Sequence, residues 1–365
     1  MGQPRSQIRV ARVPAIPAVV PISFLAVVAA RECNLKMMRT RFPFLFPVLF
    51  CALCGATNSP AQSVAESAPV QLPLEYSNGH LFVEVDEAQL GRLHMLLDSG
   101  AERTYMSAAP ASKVSSSHRT ISIIGGGPGN PDRAYRTARV DLRFGERILF
   151  SGDALVLPVD GQLSAGLNHR VDGALGWDFF ERWCVRIDYA TQTVTLTEPD
   201  RCTAPASPHA VLSGDWSHHG FSLPTEVTFT NSNSVHADLH VDTGTDASLS
   251  LRPKFREAAG LHGGTKETAM PGVGANGAFT SDLVPFKRID IGGGKLTLGD
   301  GHIVIGRAGS FTKTHWWSNG IGEAALNSDG EIGNAILSHA VVTFDPVRHC
   351  LYLEENPTTK TQGVQ

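Results

Sequence analysis

The sequence predicts an all-β chain built from two homologous lobes, and three observations lead there. The first is an internal repeat. Near position 98 the chain reads Leu96-Leu97-Asp98-Ser99-Gly100-Ala101, and near 242 it reads Leu239-His240-Val241-Asp242-Thr243-Gly244-Thr245. A hydroxyl follows each Asp by six positions, at Thr104 and Ser248. Gly-rich turns come next, Gly125-Gly126-Gly127 and Gly272-Val273-Gly274, 27 and 30 residues after the Asp. Ala174-Leu175-Gly176 then matches Ile332-Gly333, and Ile187-Asp188 matches Phe344-Asp345, with 12 residues between glycine and aspartate in both halves. The halves close on Val194-Thr195-Leu196 and Leu351-Tyr352-Leu353. The second observation is period-two alternation, as in Val140–Phe144 and Glu226–Thr230, each followed by a turn signal, Gly145-Glu146 and Asn231-Ser232-Asn233. The third is the count of 36 Gly and 22 Pro, which disfavours long helices. Few stretches have a sustained helical period, and short helices are expected at Phe179–Arg182 and Pro253–Ala259.

The elements divide the chain into a leader, 1–61, a first lobe, 72–203, and a second lobe, 209–357, joined near Ala204–Pro208. Within the leader, Met37-Met38, the basic Arg39 and Arg41, apolar Phe42–Ala56 and the small residues of Ser59-Pro60-Ala61 have the anatomy of a secretory signal peptide. Residues 1–36 are then an upstream stretch of doubtful start, with Pro14, Pro17 and Pro21 spoiling a membrane helix. The expectation is an exported chain, periplasmic or secreted, with a membrane tether if the leader is not cut. Cys51 and Cys54 fall inside the leader. Cys184 and Cys202 flank a strand–turn–strand where one disulfide is plausible in an exported protein, which leaves Cys350 unpaired and buried.

Hydrophobic residues make up 42% and charged residues 18%, enough to bury a core. The net charge of −4 gives no basic excess for nucleic acid. His218-His219 and His236 with His240 lack an HExxH pattern or an acidic partner at fixed spacing, so no metal is expected. No phosphate-loop spacing follows Gly125–Gly129, and no G-x-S-x-G elbow is present.

Two Asp-Ser/Thr-Gly loops in matching places of a repeat suit a carboxylate dyad. A pseudo-twofold axis brings both carboxyls within hydrogen-bond distance, and like charges that close share one proton. The charged member serves as general base toward water, and the protonated one donates to a carbonyl oxygen. Gly100 and Gly244 admit close backbone approach, and Ser99 and Thr243 brace the loops across the axis.

On these residues the chain resembles a bacterial retropepsin-like aspartic protease with two lobes fused, over about residues 74–355. The resemblance implies two retropepsin-like β-barrel lobes about a pseudo-twofold axis, with a central cleft and β-hairpin flaps. It implies an aspartic endopeptidase with Asp98 and Asp242 catalytic, Ser99, Gly100, Thr243, Gly244 and Thr245 in support, and no cofactor or metal. The expected partner is a peptide or protein substrate, and the expected state a monomer that is an internal pseudo-dimer. A catalytically silent, peptide-binding version of the fold is the alternative. Gly126, Gly127, Val273 and Gly274 are flap candidates. The second lobe is longer by 13 residues, and its extra stretch holds Trp316 and Trp317, which either line the cleft or pack structurally.

Three residues depart from the pattern. Glu331 stands where an apolar residue belongs. His240 replaces Leu96 two residues before the Asp, either facing the dyad or sitting as a satisfied strand histidine. Residue 245 is Thr where lobe one has Ala101, so its hydroxyl is expected on Asp242, with Asp242 charged and Asp98 protonated.

Overall fold

The computed structural model describes residues 68–114, 116–122, 133–157, 160–217, 220–261, 269–274, 277–307 and 328–356. The leader, Gly126, Gly127, Trp316 and Trp317 lie outside the described residues.

In the first lobe, β1 (Val70–Ser77), β2 (His80–Glu87) and β3 (Gly91–Leu97) are followed by β4 (Tyr105–Ser107) and the short α1 (Ala108–Ala111). Next come β5 (Ser116–Ser122), β6 (Arg133–Phe144), β7 (Arg147–Leu157) and α2 (Asp160–Leu167). The lobe ends with β8 (Gly173–Leu175), α3 (Trp177–Phe180), β9 (Cys184–Asp188) and β10 (Thr193–Thr197). The order β2-β3-β8-β4-β7-β6, with β6 returning to β2 at Asp86 and Arg143, closes a six-stranded barrel.

The second lobe repeats this after β11 (Ala210–Ser213) and β12 (Asp215–Ser217). It runs β13 (Gly220–Phe229), β14 (Ser234–Val241), β15 (Leu249–Leu251), β16 (Ala269–Gly274), β17 (Gly277–Ile291) and β18 (Leu296–Leu298). It finishes with β19 (Gly301–Gly306), β20 (Gly330–Ile332), α4 (Asn334–Leu337), β21 (Ala340–Asp345) and β22 (Cys350–Glu355). The order β13-β14-β20-β15-β19-β17, closed by β13 on β17, is the second six-stranded barrel. The fold is therefore all-β with two barrel lobes, as the repeat and alternation predict.

Local chemistry explains the repeat. Gly145 takes φ +58° in the two-residue turn between β6 and β7, a conformation glycine adopts without a Cβ penalty. The recurring apolar-Asp pair is a turn device. Asp188 Oδ1 accepts the Ala190 and Thr191 amides (3.1 and 3.0 Å), and Asp345 Oδ1 accepts those of Val347 and Arg348 (3.0 and 2.9 Å). Each aspartate thereby starts the hairpin that closes its lobe. The expected helix near Phe179 starts two residues earlier, and the one at Pro253 is a single 3-10 turn, Pro253–Phe255.

The lobes meet in a six-stranded antiparallel sheet, β11-β22-β21-β9-β10-β1, three strands from each. Its centre pairs Val342 with Ile187 and Phe344 with Val185, all fully buried. Inward side chains of both barrels, such as Val83, Met95, Leu97, Leu223, Leu239 and Val241, join these in one apolar core. Burying each such side chain contributes roughly 1.5–3 kcal/mol, so the lobes are joined through their core. Cys184 and Cys202 form a disulfide, and Cys350 is a buried free thiol.

Candidate active site

Asp98 follows β3 and Asp242 follows β14, each at the point where the strand leaves its barrel toward the other lobe. Both loops are held the same way. The Asp98 amide donates to Leu175 O (3.0 Å) and the Asp242 amide to Ile332 O (2.9 Å). One turn on, the Trp177 amide reaches Ala101 O (2.6 Å) and the Asn334 amide reaches Thr245 O (3.0 Å). The apolar-Gly elements at Gly176 and Gly333 thus pack beneath the two Asp loops.

Ser99 and Thr243, both fully buried, lace the loops together. The Ser99 amide donates to Thr243 Oγ1 (2.9 Å) and the Thr243 amide to Ser99 Oγ (3.0 Å). The two hydroxyls then donate across the axis, Ser99 Oγ to Val241 O and Thr243 Oγ1 to Leu97 O, both 2.8 Å. Four direct hydrogen bonds between the loops fix the two carboxyls relative to each other.

Each half-buried carboxyl rests on the opposite loop's glycine. A Cβ on Gly100 would overlap the Asp242 carboxyl, and one on Gly244 would overlap that of Asp98. The two carboxyls interact directly, each shifting the ionisation of the other. Burial pushes Asp98 up to about 6, against the amides of Ala101 and Gly100 that favour its charge. Burial and the neighbouring Asp98 charge hold Asp242 well above the ordinary carboxylate range.

This reverses the expected charge assignment. Asp98 Oδ1 accepts two amides, from Gly100 (3.0 Å) and Ala101 (2.9 Å), whereas Asp242 Oδ1 accepts one from its own loop, Gly244 (2.7 Å). The Thr245 hydroxyl points elsewhere and accepts the Ala247 amide (3.3 Å). The Gly100 amide also favours charge on Asp242, but the Ala101 amide is a second donor from Asp98's own loop and the Asp98 charge raises Asp242, which together favour the charge on Asp98 and the proton on Asp242.

His240 does not bond either carboxyl. It is buried behind the loop, where Nε2 donates to Ser99 O (3.3 Å) and Nδ1 has no hydrogen-bond partner. Burial lowers its pKa to about 4, so the ring is neutral. Gly220, at φ +144°, makes the room, since a Cβ there would overlap the imidazole. Glu331 pairs in register with both His240 and Ser250. Burial and the nearby Asp242 push it up to about 7, opposed by Arg252 and the Ser250 hydroxyl.

Val273 and Gly274 belong to β16, whose hairpin with β17 pairs Gly274 with Gly277 at its end.

Sequence reasoning missed three contributors. Asn334 Nδ2 donates to Thr243 O (2.7 Å) and to Gly79 O (2.9 Å) in the other lobe. Its Oδ1 accepts the Tyr189 hydroxyl (2.8 Å). His80 Nδ1 donates to Gly244 O (3.0 Å). These partners are 91 to 255 residues apart, and no local motif announces them.

No protein-family model matches the chain, and no curated protein does. Among solved structures it is similar to the crystal structure of an aspartic proteinase from Irpex lacteus. The identity is 12%, over 81% of this chain and 100% of that one, with a TM-score of 0.47. It is also similar to that of basic 7S globulin from soybean, with 11% identity over 81% of this chain and 97% of that one and a TM-score of 0.42.

Proposed function

We propose that the chain is an aspartic endopeptidase of the bilobal, retropepsin-like kind suggested by its two Asp-Ser/Thr-Gly loops. The observation that carries the reading is the half-buried pair Asp98 and Asp242, each carboxyl seated against the other loop's glycine and clamped by the Ser99–Thr243 ring. Charged Asp98 accepts a proton from a water as that water attacks the scissile carbonyl carbon. Protonated Asp242 donates to the carbonyl oxygen, giving a neutral gem-diol. Collapse of the diol returns its hydroxyl proton to Asp242 while Asp98 passes its proton to the leaving amine, and both carboxyls end as they began. The substrate is a peptide in extended form, bound between the lobes by backbone hydrogen bonds, with β16–β17 as one flap. The enzyme works without a cofactor, as a monomer whose two lobes serve as a dimer. The Cys184–Cys202 disulfide and the sequence of the leader support an exported location.

A peptide library incubated between about pH 3 and pH 8 tests this by mass spectrometry. Wild type is expected to cleave and to be blocked by pepstatin, and Asp98→Asn and Asp242→Asn to be silent. Folded wild type that cuts nothing, yet retains peptides, would replace this reading with the binding alternative.

A further inference from the structure

We propose that Glu75, His94 and His169 form a divalent-cation site in the first lobe, suited best to zinc. The proposal stands independently of the dyad. Along β3 the side chains alternate, with Leu93, Met95 and Leu97 in the core and His94 and Leu96 on the outer face. Glu75 of β1 pairs with Phe82, which pairs with Leu96, so Glu75 and His94 are brought together on that face. His169 arrives from the connection between α2 and β8. That connection is zipped to β3 beside His94: the Asp172 carboxylate accepts the His94 amide (2.8 Å) and the Asp172 amide donates to His94 O (2.9 Å). The His169 amide is fixed by Ser164 O (3.0 Å).

Three donor atoms converge as a result. His94 Nε2 and His169 Nε2 lie 2.8 Å apart, and the Glu75 oxygens lie 3.3 Å from His169 Nε2 and 3.9 Å from His94 Nε2. At 2.8 Å the contact between the two Nε2 atoms takes at most one proton, and a proton held between them cannot also serve the carboxylate. The cluster therefore gathers lone pairs at one point, the condition a metal ion satisfies.

Two imidazoles and a carboxylate are a zinc donor set. Zinc bonds of about 2.0–2.2 Å place tetrahedral donors roughly 3.3 Å apart, so seating the ion asks the two rings to part by about half an ångström. The rings already have a wall. Phe82, itself buried, stacks on His94 (4.9 Å, 17°) and lies against His169 (4.4 Å, 47°), which restrains both imidazoles before an ion arrives. Three protein ligands leave a coordination position for water or for an anionic group of another molecule. An ion here ties β1, β3 and the β8 connection together, at His94 of β3, four residues before Asp98.

Untagged, metal-stripped protein titrated with zinc chloride by calorimetry is the test, with cobalt(II) absorption reporting the coordination. Wild type is expected to take up one equivalent, with a raised Tm and a tetrahedral cobalt spectrum. His94→Gln and His169→Gln lose all three signals. Glu75 is half exposed, so Glu75→Gln folds regardless, and it weakens zinc at least about tenfold. His236→Gln, on the exposed side of β14, binds as wild type. Folded wild type that takes up no zinc, or uptake unchanged by Glu75→Gln, would overturn the site.

Discussion

The two lobes share a scaffold but differ in the layer beside their aspartates. In the first lobe Leu96, Ala174 and Tyr105 stand in register across β3, β8 and β4, and with Phe82 and Leu155 they form a separate apolar cluster. In the second, the same positions on β14, β20 and β15 carry His240, Glu331 and Ser250, and Ser222 takes the place of Phe82. One aspartate is thus flanked by an apolar layer whose polar group is the Tyr105 phenol, and the other by a neutral imidazole and a carboxyl. The strands tolerate either because backbone pairing, not these side chains, sets the barrel. What the side chains set is the electrostatics of each half of the cleft. The lobes also differ in how a histidine crosses the axis. His80 opens β2 and reaches Gly244 O, whereas its counterpart Gly220 opens β13 and yields its space to His240, which reaches Ser99 O.

The largest test of this comparison concerns what the lobes share. Gly100→Ala and Gly244→Ala each drive a methyl into the opposite carboxyl, so peptide cleavage falls by roughly 10²–10⁴-fold in both. A loss confined to one would show that the carboxyls are not equivalent about the axis.

The brace comes next. Ser99→Ala and Thr243→Val each leave buried amides and carbonyls unpaired, at about 2–4 kcal/mol in urea unfolding. Similar values in the two variants would match the ring's symmetry.

The polar layer then separates the lobes. Glu331 holds its proton better folded than unfolded, so its contribution is present at acid pH and is lost as pH rises from about 4.5 to about 7. Glu331→Gln should therefore stabilise the protein by roughly 2–3 kcal/mol at pH 8 and little at pH 4. Ala174→Ser, at the matching place in lobe one, adds no ionisable group, so its effect stays constant with pH. Asp98, raised to about 6, sets the acid limb of catalysis, and kcat/KM should drop below about pH 6.

His240 gives the smallest effect and the opposite sign. Its folded pKa lies below the unfolded value, so stability is lost as pH falls from 6.5 toward about 4. His240→Leu, which restores the lobe-one residue type, should flatten that acid slope by about 1–2 kcal/mol at pH 5. An unchanged slope would mean the imidazole is protonated in the fold.

Much of the molecule was legible because its signals are local and occur twice. Asp188 and Asp345 cap turns within three residues of themselves, alternation marks β6 and β13, and the two Asp-Ser/Thr-Gly loops mark the axis. The charge assignment was not legible. It hangs on which amides face which oxygen, and the Thr245 hydroxyl, which composition alone would aim at Asp242, is taken by Ala247.

The sequence by itself determined the strand pattern, the duplication and the pair of aspartates, because each is written in contiguous residues and a period of two. Only the tertiary structure decided the rest. It brought Asn334 to Gly79, His80 to Gly244, and Glu75, His94 and His169 to one point. Each of those contacts joins strands far apart in the chain, and their spacing is set by barrel closure rather than by any local rule.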